Sequence, residues 1–207
     1  MRHSRWGPQF LGERGILSLR DFGYSPSLDG ILMHLNLIED NTAQPMTTII
    51  DGPSGSGKTT LAALIADAWP RRGRPQVVHM DEVYPGWNGL QSGSDLMGRI
   101  LHDRAQGKPA HFQRYDWALG KHTTWHAIDP ELPLLVEGCG AMGIHARSAA
   151  HARIWLDGDE ELRKRRALGR GEEDFAAHWD EWSAQFTEFV ELATPQQFAT
   201  LSVSVSE

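Results

Sequence analysis

Eight consecutive residues constrain the fold of this chain more than any other feature of its sequence. They read Gly52-Pro53-Ser54-Gly55-Ser56-Gly57-Lys58-Thr59 and fit the pattern Gly-x4-Gly-Lys-Ser/Thr at every position. A short β-branched run precedes them, and an amphipathic helical pattern follows. The glycines allow the backbone to curl, so that successive N–H groups and the helix N-terminus face an anion. The motif therefore predicts a polyphosphate-binding loop between a strand and a helix.

Two side chains at the end of this loop have predicted roles in binding a nucleotide. Lys58 can reach the β- and γ-phosphates, and the hydroxyl of Thr59 is placed to bind Mg²⁺. The predicted nucleotide-binding residues run from Gly52 to Thr60, and we expect ATP and Mg²⁺ as cofactors. A glycine-rich turn that binds no ligand is the alternative interpretation.

Strand-like and helical patterns alternate along the chain after residue 46. Strands are predicted at 47–50, 76–80, 134–136, 153–156 and 201–205, and helices at 58–69, 95–105, 159–168 and 175–192. Such alternation is typical of a three-layer α/β protein with a mainly parallel five-stranded sheet. Ligands bind at the carboxyl ends of the strands in such sheets, so we expect the chemistry to follow Ile50, Met80 and Val136.

The first 45 residues differ from the rest and are predicted to form an N-terminal arm, with the main domain at 46–207. Residues 1–27 are rich in Gly, Arg, Ser and Pro and show little periodicity, which is typical of a loop. Apolar residues then recur at helical spacing from Leu28 to Ile38, after Ser25 as a predicted N-cap and Pro26 as the first helical residue. We expect one amphipathic helix packed on the main domain; a partner-binding helix is the alternative.

Two acidic residues follow predicted strands and are candidates for catalysis or metal binding. A carboxylate at Asp81 can accept a proton from an attacking hydroxyl or hold the water shell of a metal. Glu137 ends a hydrophobic strand, where a buried acid needs a partner such as Mg²⁺. Thr59, Asp81 and Glu137 are thus the predicted metal residues. The alternatives are that each acid caps the next turn or helix, or that Glu137 pairs with Lys58.

Arginines cluster after the fourth predicted strand. Arg163, Arg166 and Arg170 lie at helical spacing, so one helix face carries three guanidinium groups. Such a face suits a mobile lid that closes over a transferring phosphoryl group and excludes water. We assign Arg166 and Arg170 to catalysis as lid residues and Arg163 to acceptor binding. A solvated charged face is the alternative.

Composition narrows the class of partner. With 27 acidic and 20 basic side chains, the formal net charge is -7, which argues against a broad surface for nucleic acid or anionic lipid. No stretch approaches the roughly 18 apolar residues of a membrane span. A single cysteine, Cys139, excludes an internal disulfide. We expect a cytoplasmic protein that binds neither nucleic acid nor membrane, and the sequence leaves open whether it forms a homo-oligomer.

The order of these motifs resembles that of the uridine kinase-like P-loop kinases. The resemblance covers about residues 46–207. It is carried by the phosphate loop, Asp81-Glu82-Val83-Tyr84, Tyr115-Asp116-Trp117, Val136-Glu137-Gly138 and the arginine segment. It implies the P-loop NTPase fold with an arginine-bearing lid, Mg-ATP as the phosphoryl donor, and Asp81 as base. It also implies that Tyr84, Tyr115 and Trp117 line the acceptor pocket, and that residues 194–199 contact adenine.

The sequence departs from this family on the acceptor side. The histidine expected after the aromatic pair is replaced by Gly120, with His122 two residues later, and residues 85–90 replace the family's usual segment. We expect transfer of the γ-phosphoryl of Mg-ATP to a hydroxyl of a small metabolite, with a nucleoside as the preferred acceptor. The alternatives are a nucleotide or sugar kinase, and an ATP-binding or ATPase regulatory module without a small-molecule acceptor.

Overall fold

The structure is a computed structural model that describes residues 24–69, 73–169 and 173–206. Its strands are β1 (Tyr24–Ser25), β2 (Thr47–Asp51), β3 (Gln76–His79), β4 (Ala110–Asp116), β5 (Lys121–Ile128), β6 (Leu134–Glu137), β7 (Ala152–Gly158) and β8 (Leu201–Val205). Its α-helices are α1 (Leu28–Glu39), α2 (Lys58–Asp67), α3 (Leu90–Ala105), α4 (Glu160–Leu168), α5 (Glu173–Ala177) and α6 (Trp179–Ala193). Short 3₁₀ turns, Met80–Glu82 and Pro195–Phe198, follow β3 and precede β8.

Six of these strands form one sheet in the order β1-β8-β7-β2-β6-β3. The last five strands of this order are mutually parallel, and β1 pairs antiparallel with β8 at the edge. The predicted five-stranded parallel sheet is therefore confirmed. The edge strand β1 was not predicted, because two residues are too few to show the alternation that marks a strand.

Helices cover both faces of the sheet and form two apolar cores. Successive side chains along a strand point to opposite faces of the sheet. Ile49 therefore belongs to the core beneath α3 and α6, whereas Ile50 belongs to the core beneath α1 and α2. Strand β2 is buried along its whole length between β6 and β7. The strand that leads into the phosphate loop is thus held at the centre of a three-layer α/β fold.

The predicted helix of the N-terminal segment exists as α1 and packs in the second core. Its residues Ile31 and Leu35 are buried with Leu61 and Ile65 of α2. The N-cap is Ser27, two residues after the predicted Ser25, because the hydroxyl of Ser27 accepts the N–H of Gly30. The division into an arm and a domain at residue 45 stays a prediction.

Two other elements differ from the predicted patterns. Strands β4 and β5 form an antiparallel hairpin outside the main sheet, and most side chains of β5 are exposed, so the apolar alternation of a strand is missing. The helix predicted at 175–192 is divided at His178 into α5 and α6. No helix in the described ranges combines the length and apolar character needed to cross a membrane.

Candidate active site

The loop between β2 and α2 is curled and lies in close contact with β7 and α4. Gly52 and Gly55 have φ angles of 150° and 78°. A Cβ atom on Gly52 would lie 1.9 Å from the carbonyl oxygen of Leu156, and one on Gly55 would lie 2.0 Å from that of Arg163. Only glycine fits such a conformation at such a distance. The loop therefore depends on glycine for its shape and for its contact with the neighbouring elements.

Lys58 places a positive charge inside this loop. Its side chain is 7% exposed, and its Nζ donates a hydrogen bond to the carbonyl oxygen of Pro53 at 2.8 Å. The same Nζ lies 3.6 Å from Sγ of Cys139, whose thiol is also 3.4 Å from the hydroxyl of Ser54. The ammonium and the start of α2 together form an anion-binding environment. Of the other loop residues, Ser56 is fully buried, whereas Thr59 and Thr60 are exposed at the first turn of α2.

Three elements meet at the carboxylate of Glu137, which is 3% exposed. The hydroxyl of Thr59 donates to its Oε1 at 3.0 Å, and Nδ1 of His79 lies 2.6 Å from the same oxygen. The hydrogen bond to Glu137 raises the pKa of His79, and the charges of Asp81 and Glu82 act in the same direction against the effect of burial. The structure thus brings Thr59 and Glu137 together as predicted for a metal site.

His79 belongs to this group but was not predicted. His79 is the last residue of the short strand β3. A single histidine in a strand is more often a core or surface residue than a site residue, so the sequence carries little signal for it. The relevant signal is its register: His79 pairs with Glu137 across β3 and β6. That pairing is visible only when the order of the strands is known.

The available donor atoms fit Mg²⁺ bound together with a nucleotide. Among the described residues, no group of three or more His, Cys, Asp or Glu side chains is arranged to hold a metal. Mg²⁺ is usually held by one or two carboxylates together with substrate phosphates, and it prefers oxygen ligands. Glu137 and Thr59 supply a carboxylate and a hydroxyl beside the phosphate loop, and nucleotide phosphates would complete the shell.

Asp81 lies beyond the carboxyl end of β3, in the 3₁₀ turn Met80–Glu82. Asp81 is exposed, and its backbone carbonyl oxygen accepts the indole N–H of Trp117 at 2.7 Å. Glu82, the next residue, forms an ion pair with Arg114. Two contacts therefore tie the turn that carries Asp81 to the β4–β5 hairpin.

Tyr84 is in the core rather than in an open pocket. It is fully buried, its ring meets that of Trp182 edge-on at 4.8 Å, and its hydroxyl donates to the carbonyl oxygen of Cys139 at 2.5 Å. Burial raises the pKa of Tyr84 well above its ordinary value, so the hydroxyl keeps its proton. The predicted acceptor residue thus supports the loop after β6 from below.

The other predicted acceptor aromatics belong to a cluster in which Trp117 is exposed and Tyr115 is half-buried. The rings of Tyr115 and Trp117 lie 5.2 Å apart, and Trp117 lies 4.7 Å from Trp87. Trp87 in turn stacks on His178 at 4.5 Å, with 12° between the ring planes. Trp87 was missed because it stands alone in the segment 85–90, which departs from the family pattern. The cluster joins the hairpin to the junction of α5 and α6.

Two of the three arginines in the predicted cluster, Arg163 and Arg166, lie on the side of the structure that carries the phosphate loop. Arg163 is 15% exposed, and its guanidinium donates to the carbonyl oxygens of Gly158 at 2.9 Å and Ser54 at 3.5 Å. These contacts place Arg163 against the phosphate loop instead of with the acceptor aromatics. Arg166 donates to the carbonyl oxygen of Ser206 at 3.2 Å. Arg170 lies outside the described residues.

The predicted adenine contact at residues 194–199 is wrong. This segment precedes β8, and the N–H of Thr200 beside it donates to the carbonyl oxygen of Arg153 at the start of β7. The guanidinium of Arg147 covers the ring of Phe198 at 3.5 Å. The segment therefore lies at the amino ends of the parallel strands, while the phosphate loop follows their carboxyl ends.

Comparison with known proteins supports the fold. No model of a protein family matches the sequence, and no protein of curated function is significantly similar to it. A possible uridine kinase from Bacillus stearothermophilus has a similar structure, with a TM-score of 0.59 and 19% identity over 89% of this chain and 98% of that one. A candidate fructose transport system kinase from Silicibacter sp. TM1040 has a TM-score of 0.62 and 15% identity, over 84% and 98% of the two chains. The chain therefore has the P-loop fold of uridine kinase-like proteins, as its motifs predicted.

Proposed function

We propose that this protein is a P-loop kinase that transfers the γ-phosphoryl of Mg-ATP to a hydroxyl of a small metabolite, with a nucleoside as the preferred acceptor. One observation carries the proposal. The ammonium of Lys58 lies inside a glycine loop, and the hydroxyl of Thr59 at the end of that loop contacts the buried carboxylate of Glu137. This combination of a phosphate cradle with oxygen ligands suits a nucleotide bound with its metal.

On the donor side, the chain binds and orients the triphosphate. The backbone N–H groups of the loop and Lys58 would hold the β- and γ-phosphates, and their charge would stabilise the negative charge that develops there during transfer. Thr59 and Glu137 would hold Mg²⁺, with Asp81 near its water shell. A Mg²⁺ ion held by these residues would offset the negative charge of the phosphates.

On the acceptor side, Asp81 is the proposed base. Asp81 follows β3 two residues beyond His79, whose strand partner is Glu137, and this position supports the role. There it would orient the attacking hydroxyl and accept its proton. Arg166 and Arg170 stay the predicted lid residues.

The aromatic cluster supports a flat acceptor. Trp87, Tyr115 and Trp117 present rings between the hairpin and α5, beside the turn that carries Asp81. Aromatic faces with a few polar groups are typical of sites for planar ligands. A nucleoside has both a planar base to contact these rings and a hydroxyl to accept the phosphoryl group.

The test is an acceptor screen, in which the protein is incubated with Mg-ATP and with panels of nucleosides, nucleotides and sugars. The measured products are ADP and the phosphorylated acceptor. We expect ADP to appear only with one acceptor class. Acceptor-independent hydrolysis would instead favour an ATP-binding regulatory module. Lys58→Ala should abolish turnover, and full activity in that variant would refute the scheme.

The role of Asp81 needs a separate measurement. Asp81→Asn should lower kcat by about 10²- to 10⁴-fold, the usual size of a lost general base, with a smaller change in ATP affinity. Asp67→Asn is the matched control, because Asp67 is an exposed carboxylate at the far end of α2. Equal losses of kcat and ATP affinity in Asp81→Asn would argue against its role as base.

A further inference from the structure

The carboxylate of Asp51 is fully buried at the end of β2, directly before the phosphate loop. Its Oδ1 accepts the N–H of Gly52 at 2.6 Å and that of Gly140 at 2.9 Å. Its Oδ2 accepts the N–H of Met142 at 2.7 Å. Three backbone donors from two separate loops therefore converge on one side chain that has no role in the mechanism above.

The second of these loops follows β6 and is called the β6 loop here (residues 138–143). Gly140 has a φ angle of 78°, so the chain turns sharply and the loop lacks the regular backbone pairing of a helix or strand. Buried N–H groups in such a segment need acceptors from elsewhere. The carboxylate oxygens of Asp51 are the acceptors for the N–H groups of Gly140 and Met142. They therefore attach the β6 loop to the phosphate loop.

The β6 loop connects several groups of the proposed site. Cys139 directly precedes Gly140, which Asp51 holds. Its thiol contacts Lys58, and its carbonyl oxygen accepts the hydroxyl of Tyr84. Glu137 immediately precedes the loop. A displacement of the β6 loop would therefore disturb the surroundings of Lys58 and the end of β6 that carries Glu137.

A carboxylate, unlike its amide analogue, can accept all three hydrogen bonds. Asparagine has nearly the same size, but only one of its two terminal atoms accepts a hydrogen bond. The other would present N–H to a backbone N–H. The charge is unfavourable, because burial raises the pKa of Asp51 to about 6 despite the opposing effects of the Met142 hydrogen bond, the charge of Lys58 and the N–H groups of Gly52 and Gly140. The carboxylate at this position is therefore better explained by the three hydrogen bonds that it accepts than by a gain in stability.

We propose that Asp51 is a positioning residue, which sets the β6 loop against the phosphate loop so that Lys58 and Glu137 keep the arrangement needed for phosphoryl transfer. This inference rests on the proposed function, since its effect is observed in turnover with Mg-ATP. Asp51 itself is enclosed by the protein and acts only through the two loops.

The experiment compares wild type with Asp51→Asn and Thr48→Val. Thr48 is the matched control: it lies on the same strand, it is fully buried, and its hydroxyl has no hydrogen-bond partner in the described part of the chain. Circular dichroism and thermal melting establish that each variant is folded. Mg-ATP affinity is measured by calorimetric titration, and kcat by the acceptor assay described above.

We expect folded Asp51→Asn to lose about 10²-fold in kcat, the effect of a misplacement of about 1 Å, and less than about tenfold in ATP affinity. Amide hydrogen exchange at Gly140 and Met142 should become faster in the same variant. Thr48→Val should match wild type in all three measurements. A purely structural role would change the melting temperature but leave kcat per folded molecule unchanged.

A second variant covers the case in which Asp51→Asn does not fold. Gly140→Ala strains the β6 loop and brings a Cβ atom to 3.0 Å from Leu90 Cδ2, so it displaces the same loop while leaving Asp51 intact. It should reproduce the loss of kcat. Full kcat in folded Asp51→Asn, or in Gly140→Ala, overturns the inference while leaving the proposed function intact. A wild-type protein without acceptor-dependent turnover overturns the proposed function itself.

Discussion

The burial of Asp51 predicts how the stability of this protein changes with pH. Burial raises the pKa of Asp51 to about 6 in the folded protein, from the ordinary 3.8 of an aspartate side chain. Between these values the folded state binds more protons than the unfolded state, so the free energy of unfolding falls as pH rises. The difference, 6 minus 3.8, corresponds to about 3 kcal/mol at about 1.4 kcal/mol for each pKa unit. Most of this loss should occur between about pH 4 and pH 6.

The prediction is tested by urea unfolding of wild type and Asp51→Asn at a series of pH values from 4 to 8. Other titrating groups are common to both proteins, so the difference between the two unfolding free energies isolates Asp51. Loss of the acceptor for Met142 should destabilise the variant by about 1–3 kcal/mol at every pH, which displaces the difference curve without changing its slope. We expect wild type to lose about 2–3 kcal/mol relative to the variant between pH 4 and pH 7, with a plateau above.

Two results would refute this reasoning. A difference that is constant from pH 4 to pH 7 would mean that the carboxylate does not titrate in this window, and that its burial is compensated by its three hydrogen bonds. A difference that grows in favour of wild type as pH rises would mean that the folded state lowers the pKa of Asp51. In the first case the buried charge would be neutral for stability, and in the second it would stabilise the fold.

Other predictions concern the loop, the Glu137 contact and the aromatic cluster. Gly55→Ala should weaken Mg-ATP binding by about tenfold or more and cost about 1–3 kcal/mol of stability. Gly107→Ala shares the positive φ but has open space around it, so an equal loss of ATP affinity in this control would contradict the argument from close contact. His79→Gln should lower the melting temperature more at low pH than at high pH. The folded state raises the pKa of His79, so protonated His79 stabilises the fold below its ordinary pKa, and this stabilisation is lost as pH rises through the folded pKa. A larger effect at high pH would count against the contact with Glu137. Trp87→Leu should raise KM for the acceptor with ATP affinity unchanged, as measured by steady-state kinetics, and equal effects on both substrates would place Trp87 outside the acceptor site.

The sequence predicted best those strands and helices whose pattern depends on residues close together in the chain. The strand β8 spans the predicted residues, and β2 and α2 differ from their predicted bounds by one or two residues at one end. Alternation and helical spacing are properties of neighbouring residues, so they are visible without the fold. The hairpin β4–β5 was missed because β5 is mostly exposed and β4 buries only Ala110 and Phe112, so neither strand carries a strong apolar alternation.

Candidate residues show the same division. Thr59 and Glu137 were predicted as metal residues, and the structure brings them into contact. Tyr84 was predicted in the acceptor pocket but is buried beneath the β6 loop, and Arg163 contacts the phosphate loop instead of the acceptor aromatics. Their residue types suit either place, so the sequence cannot distinguish a site residue from a supporting one.

The sequence alone determined the phosphate loop, the parallel sheet and the acids at the carboxyl ends of β3 and β6. Each of these depends on backbone preferences or on periodicity within a few residues. Only the tertiary structure decided which distant groups meet there. His79 reaches Glu137 through the register of β3 and β6, and Asp51 receives N–H groups from residues 89 and 91 positions further along the chain. Burial and hydrogen-bond partners depend on which elements pack together, and that information is absent from any short stretch of sequence.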